Sequence, residues 1–102
     1  MSAFEGAAFD ELIHAPNRLR ICSMLAAASE VEFASLRDAL GVSDSVLSKQ
    51  IKALEDAGYL TVRKSPLDGR TRTWAALTDT GRKAFEGHVT ELRRLAAGVT
   101  LD

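Results

Sequence analysis

A chain of 102 residues holds one domain rather than two, and with 46% apolar and 26% charged residues it has an ordinary globular composition. Thirteen Lys and Arg stand against fourteen Asp and Glu, a net charge of -1, which excludes a highly charged disordered tail and gives no global basic signature. A single cysteine, Cys22, excludes an intramolecular disulfide framework and a Cys-rich zinc site. The start of the chain, Met1 to Gly6, has neither the basic region nor the long apolar run of a signal peptide, and the longest apolar run, Met24 to Ala28, is far too short for a membrane span. A cytoplasmic protein is expected.

The segments follow one another with short connections, and the coarse order is α+β, mostly α. Phe4, Ala8 and Leu12, with Phe9 and Ile13, recur at helical spacing and predict a first helix from about Ser2 to Ile13. His14-Ala15-Pro16 ends it, and Pro16 suits the first turn of a second helix over Asn17 to Ala28. Val31-Glu32-Phe33 is a short β-type bridge. A third helix is expected from Ala34 to Leu40, closed by Gly41. Ser43 is a good N-cap, with Asp44 in the first turn, for a fourth helix ending near Ala57, whose apolar stripe is Leu47, Ile51, Leu54. The period then changes. Tyr59 to Arg63 and Thr71 to Ala76 read as two strands around the turn-forming Ser65-Pro66-Leu67-Asp68-Gly69. Thr78-Asp79 caps a last helix to about Ala97.

Function is concentrated between Phe33 and Leu77. A short helix, a Gly-containing turn and a longer polar-faced helix make a helix-turn-helix, about 33–57. If Leu47, Ile51 and Leu54 face inward, the other side of the fourth helix presents Ser45, Ser48, Lys49 and Lys52, with Val46 and Gln50 on its shoulders. Cations, small hydroxyls, an amide and an apolar shoulder are the groups a major-groove reader uses. A solvated outer face would look similar, so the hairpin carries weight. It brings Arg63, Lys64, Arg70 and Arg72 together around its turn, and Ser43 to Trp74 holds six basic and four acidic residues, whereas Met1 to Val42 holds three and six. A basic hairpin beside a helix-turn-helix can reach backbone or a narrow minor groove. Trp74 reads as packing of that hairpin rather than a base-stacking or ligand-lining residue.

Leu36-Arg37-Asp38-Ala39-Leu40-Gly41-Val42-Ser43, then Leu47 through Leu60, then Leu77-Thr78-Asp79-Thr80-Gly81-Arg82, together with His14 through Ile21, resemble the winged-helix transcriptional regulators of the MarR and ArsR type. The resemblance covers nearly the whole chain, 1–102, as one winged-helix domain, with a wing at about 59–77, a C-terminal helix at about 79–97, and dimerisation helices at both ends. It implies a homodimeric, sequence-specific DNA-binding regulator, a repressor, on a pseudo-palindromic operator. By position, Ser45, Val46, Lys49 and Gln50 would face bases or nearby phosphates, and Ser43, Ser48 and Lys52 the backbone. In the wing, Lys64, Arg70 and Arg72 would be the contacts. Two departures from the family pattern stand out: Arg37 occupies a position that is often small, and the wing reads Asp68-Gly69-Arg70-Thr71-Arg72 rather than Asp-Arg-Arg, which leaves open which arginine enters a groove.

Phe85, His88, Leu92, Leu95 and Val99 step 3, 4, 3, 4, a heptad-like seam. With Phe4, Ala8 and Leu12 they are the expected dimer interface. A stripe facing only its own core would have the same spacing. His88 reads as a packed histidine, paired across the dimer and open to a pH role. Cys22 reads as a small core hydrophobe rather than a redox thiol. Isolated His and Cys residues argue against metal sensing, and no cofactor is expected. No phosphate loop, GxSxG or HExxH is present, so an enzyme is not expected. The expected partners are double-stranded DNA, a second copy, and an effector that the sequence does not name. The competing reading is a winged helix that meets an acidic protein partner.

Overall fold

Capping residues set the element boundaries. The computed structural model describes residues 6–99. Its elements are α1 (Glu11–His14), α2 (Pro16–Ala26), β1 (Val31–Glu32), α3 (Phe33–Leu40), α4 (Asp44–Asp56), β2 (Leu60–Leu67), β3 (Arg70–Leu77) and α5 (Asp79–Ala96). Pro16 opens α2, where its missing N–H costs nothing. Gly41 closes α3 in the left-handed region, φ 66°, and its N–H donates to the Arg37 carbonyl at 2.9 Å. Ser43 Oγ accepts from the Val46 N–H at 3.1 Å to start α4, a cap worth about 1 kcal/mol. Thr78 does the same for α5 through Gly81 N–H, while its hydroxyl donates to the Gly58 carbonyl. The predicted element order is the one found, α+β and mostly helical.

The three strands form an antiparallel sheet in the order β1-β3-β2. Val31 pairs with Ala75 and Glu32 with Trp74, so the short β-type bridge of the sequence is a strand on the edge of the hairpin. The core joins Ile13 of α1, Ile21, Cys22 and Leu25 of α2, Leu36 of α3, Leu47, Ile51 and Leu54 of α4, Leu60 of β2 and Ala75 of β3. Cys22 is fully buried, and burial, aided by the Asp10 charge, pushes its thiol up to about 11. That is the small core hydrophobe expected, not an activated thiolate. Among the described residues, no helix is long and apolar enough to cross a membrane.

Three expectations are corrected. The first helix does not run from Ser2 to Ile13; it is the single turn Glu11–His14. Asp10 is extended (φ -121°, ψ 106°) and its Oδ1 caps the Ile13 N–H at 3.0 Å. Upstream, the Ala8 N–H donates across to the Gly87 carbonyl at 3.1 Å. The backbone there spends its hydrogen bonds on α5 and a cap, so Ala8 and Leu12 do not share a helix face. Phe4 itself lies outside the described residues. The wing turn is also tighter than expected. Ser65, Pro66 and Leu67 continue β2, and only Asp68 and Gly69 form the loop, both left-handed (φ 51° and 76°). Two such residues make a type I′ turn, for which Asp-Gly is a favoured pair. Pro66 fits because β2 is the other edge of the sheet and needs no N–H on its free side.

The third correction concerns His88. Placed by its spacing in a seam shared with a partner, it is fully buried within its own chain. Its Nδ1 accepts the Asp10 N–H at 3.0 Å, which puts the ring proton on Nε2, facing His14 Nδ1 at 3.1 Å. Phe9 packs on both rings at 4.8 Å. Asp10 also accepts from the Tyr59 hydroxyl at 2.5 Å, and that bond, with burial, pushes the phenol up to about 12. Sequence separations of 74 and 78 residues hid this cluster. It fastens the segment before α1 to α5 and to the end of α4. Gly87 permits the close approach: a Cβ there would lie 2.8 Å from the Gly6 carbonyl oxygen.

Burial, then the neighbouring His14, lowers the His88 pKa, while Asp10 opposes the shift. The unfolded chain therefore takes up the proton first as pH falls, and stability is lost below about pH 6.5. The melting temperature is expected to drop between about pH 7.5 and about pH 5.5, and to drop less in His88→Asn, whose amide oxygen can still accept from Asp10; equal slopes in thermal melts would exclude this. Gly81 packs on the turn after α4, where a Cβ would lie 2.1 Å from the Tyr59 carbonyl oxygen. Gly81→Ala is expected to cost about 1–3 kcal/mol or more, read as a fall in melting temperature of at least several degrees.

Candidate nucleic-acid interface

The apolar stripe of α4 fixes what its other side shows. With Leu47 and Leu54 fully buried and Ile51 nearly so, Ser45, Val46, Ser48, Lys49 and Lys52 are turned outward and exposed. Val46, at 38% exposure, is an apolar spot between hydroxyls. Ser43 is exposed too, but its Oγ is engaged as the α4 cap, which leaves its O–H as a donor. Lys52 pairs with Asp56 at 3.4 Å one turn on, an exposed i, i+4 contact of little energetic weight. Lys49 makes no ion pair among the described residues.

Arg37, the oversized residue before the turn, lies sideways. Its guanidinium donates to Asp38 at 3.1 Å and to Asp44 at 3.0 Å. It thus bridges α3 to the first turn of α4 and neutralises the carboxylates beside the helix start. Gln50 behaves differently from its neighbours: it is half-buried, and its Oε1 accepts from Arg18 Nη1 at 2.8 Å.

The hairpin sorts its cations by face, because strand side chains alternate. Lys64 is paired with Thr73 and shares the side of Val62. With Ser48, Lys52 and Glu55 of α4 it lines a cleft of about 280 Å³ between helix and wing. Ser48, Lys52 and Lys64, separate in the sequence, are brought together there. The opposite side carries Arg63, Arg70, Arg72 and Trp74. Arg63 lies 5.6 Å over the Trp74 ring and grips Glu30 with two hydrogen bonds. Arg72 pairs with Glu32 at 3.2 Å. Trp74 is half-buried under Arg63, consistent with packing of the wing. Lys64 and Arg70 are exposed and make no ion pair among the described residues.

Sequence reading missed the partners that decide availability: Arg18, Glu30 and Glu32. None is at a helical or strand spacing from the residue it holds, and only the fold joins them. Among the described residues no group of three or more His, Cys, Asp or Glu could hold a metal ion.

The exposed set is therefore Ser45, Val46, Ser48, Lys49 and Lys52 on α4, flanked by Lys64 and Arg70 on the wing. It joins hydrogen-bonding groups and point charges on one elongated unit, 55 Å in its long dimension. A family model described as a winged helix DNA-binding domain matches residues 17–96. An uncharacterized protein of Methanocaldococcus jannaschii is 30% identical over 82 residues, 80% of this chain and 89% of that one. Among solved structures, a transcriptional regulator homologue protein from Pyrococcus horikoshii superposes with a TM-score of 0.84 at 24% identity, covering 99% of this chain and all of that one. The PcaV transcriptional regulator of Streptomyces coelicolor, solved with its natural ligand, superposes with a TM-score of 0.73 at 21% identity, over 92% of this chain and 68% of its own.

Proposed function

The chain belongs to the winged helix DNA-binding domain family, and from that premise we propose that it is a sequence-specific transcriptional regulator that acts as a repressor. In this reading α4 enters the major groove. Ser45, Val46, Lys49 and Gln50 face bases or nearby phosphates, and Ser43, Ser48 and Lys52 face the backbone. The wing reaches the adjacent backbone or minor groove through Lys64 and Arg70. Arg72 is the weaker candidate of the wing arginines, because Glu32 already neutralises it.

The observation that carries the reading is the split among the cations. Lys49, Lys64 and Arg70 stand exposed at the helix and the wing without carboxylate partners among the described residues, while Arg37, Arg63 and Arg72 are internally paired. Unpaired surface cations on the helix, on the α4 side of the wing and beside the wing turn suit phosphates of a duplex.

A homodimer completes the reading. Leu95 near the end of α5 and Val99 just beyond it are 51% and 60% exposed, and Phe85 and Leu92 precede them half-buried. Together with Ala8 and Leu12, these residues would join two copies through their ends and set two α4 helices about 34 Å apart, one helical turn of DNA. His88 has no place in this contact, because it is already enclosed. Occupying a pseudo-palindrome with two helices and two wings would exclude other proteins from that stretch, which is the basis for repression.

The test is affinity for mixed duplex DNA as a function of salt. Lys49→Ala, Lys64→Ala and Arg70→Ala are each expected to lower the log–log slope by about 0.9, the counterion release of one phosphate contact, while Arg63→Ala leaves it alone. A folded chain that binds no duplex at low salt would overturn the reading and favour an acidic protein partner.

A further inference from the structure

Arg18 lies in the first helical turns of α2, half-buried, and makes no ion pair among the described residues. Its Nε donates to the Leu12 carbonyl within α1, and its Nη1 donates to Gln50 Oε1 at 2.8 Å. A guanidinium has only donors, so it can face only the oxygen of a carboxamide. The bond therefore decides which way the Gln50 amide points. The Nε2 amino group, with two donors, is turned away from Arg18 and has no hydrogen-bond partner among the described residues. Gln50 sits one turn after Val46 on the shoulder of the exposed α4 face.

An unrestrained glutamine reads adenine with both ends, its oxygen accepting from N6 and its nitrogen donating to N7. A glutamine whose oxygen is held by arginine presents donors, which suit the two acceptors of guanine, N7 and O6. We propose that Arg18 is a positioning residue that turns Gln50 into a donor, and so sets guanine in place of adenine at the base facing it. The inference rests on the placement of α4 in the major groove. Arg18 also removes rotamer freedom from Gln50 before DNA arrives, so less of it is lost on binding. Its second tether, to Leu12, ties the amide to the segment that His14 and His88 fasten to α5.

Selection from a randomised duplex pool tests this with the wild type, Arg18→Met and Gln50→Glu, alongside salt slopes on mixed DNA and thermal melts. Methionine keeps an apolar stem and donates nothing. The wild type is expected to select guanine at one position of each half-site. Arg18→Met is expected to lose the guanine-over-adenine preference there by about tenfold or more, with the salt slope unchanged. Gln50→Glu, pinned by the same arginine but offering only acceptors, is expected to select cytosine, whose N4 amino group donates. An unchanged base preference in Arg18→Met, with only a lower melting temperature, would make the contact a packing clamp and overturn the proposal. A salt slope lowered by about 0.9 with the preference intact would make Arg18 a phosphate contact and would overturn it equally. If Arg18→Met does not fold, a wild-type guanine preference that Gln50→Glu leaves in place overturns it. No enrichment by the wild type would overturn the DNA reading itself, and this inference with it.

Discussion

The burial of Leu47, Ile51 and Leu54 governs the rest of the molecule's behaviour. Once these three side chains are sealed against α2, α3 and the sheet, α4 cannot roll, and the side that carries Val46, Ser48, Lys49 and Lys52 must face solvent. The turn that precedes α4 is fixed by the left-handed Gly41, by the Ser43 cap and by Arg37 reaching across to Asp44. The turn that follows is fixed by Thr78 and by the close seat of Gly81 on Tyr59. A helix held at both ends and along its length can offer a polar face at a set angle, and a groove reader needs that more than it needs any one side chain.

Pairing then decides which charges are on offer. The chain is close to neutral, so a basic surface has to come from where carboxylates are spent. Glu30 takes Arg63, Glu32 takes Arg72, and Asp38 with Asp44 takes Arg37. These exposed pairs add little stability. Their effect is on the field: they occupy three arginines and leave Lys49, Lys64 and Arg70 as exposed cations of the helix and the wing that make no ion pair among the described residues. A segregated field of this kind orients a polyanion without a high net charge.

Much of this was legible in the sequence, and for definite reasons. Spacing located the α4 stripe, Gly41 and Ser43 located the turn, and the change of period at Tyr59 located the wing, because each is a short-range pattern with a short-range cause. The first helix misled for the same reason. Phe4, Ala8 and Leu12 have helical spacing, but the Ala8 N–H is committed to Gly87, some eighty residues away, and local spacing cannot see that. The heptad-like step that placed His88 in a shared seam failed similarly, since Asp10 and His14 enclose it first. At the site, the types and positions on α4 were readable. The commitments of Arg18, Glu30 and Glu32 were not, because they pair residues from elements distant in sequence.

In the proposed function α4 and the wing read DNA in sequence, two copies at a time. The most direct measurement is selection of fragments from genomic DNA by the purified full chain, followed by sequencing of what is retained. The expected result is an inverted repeat with half-site centres about 34 Å apart, one turn of duplex. Retention with no sequence preference, or enrichment of a single asymmetric half-site by a strict monomer, would contradict it.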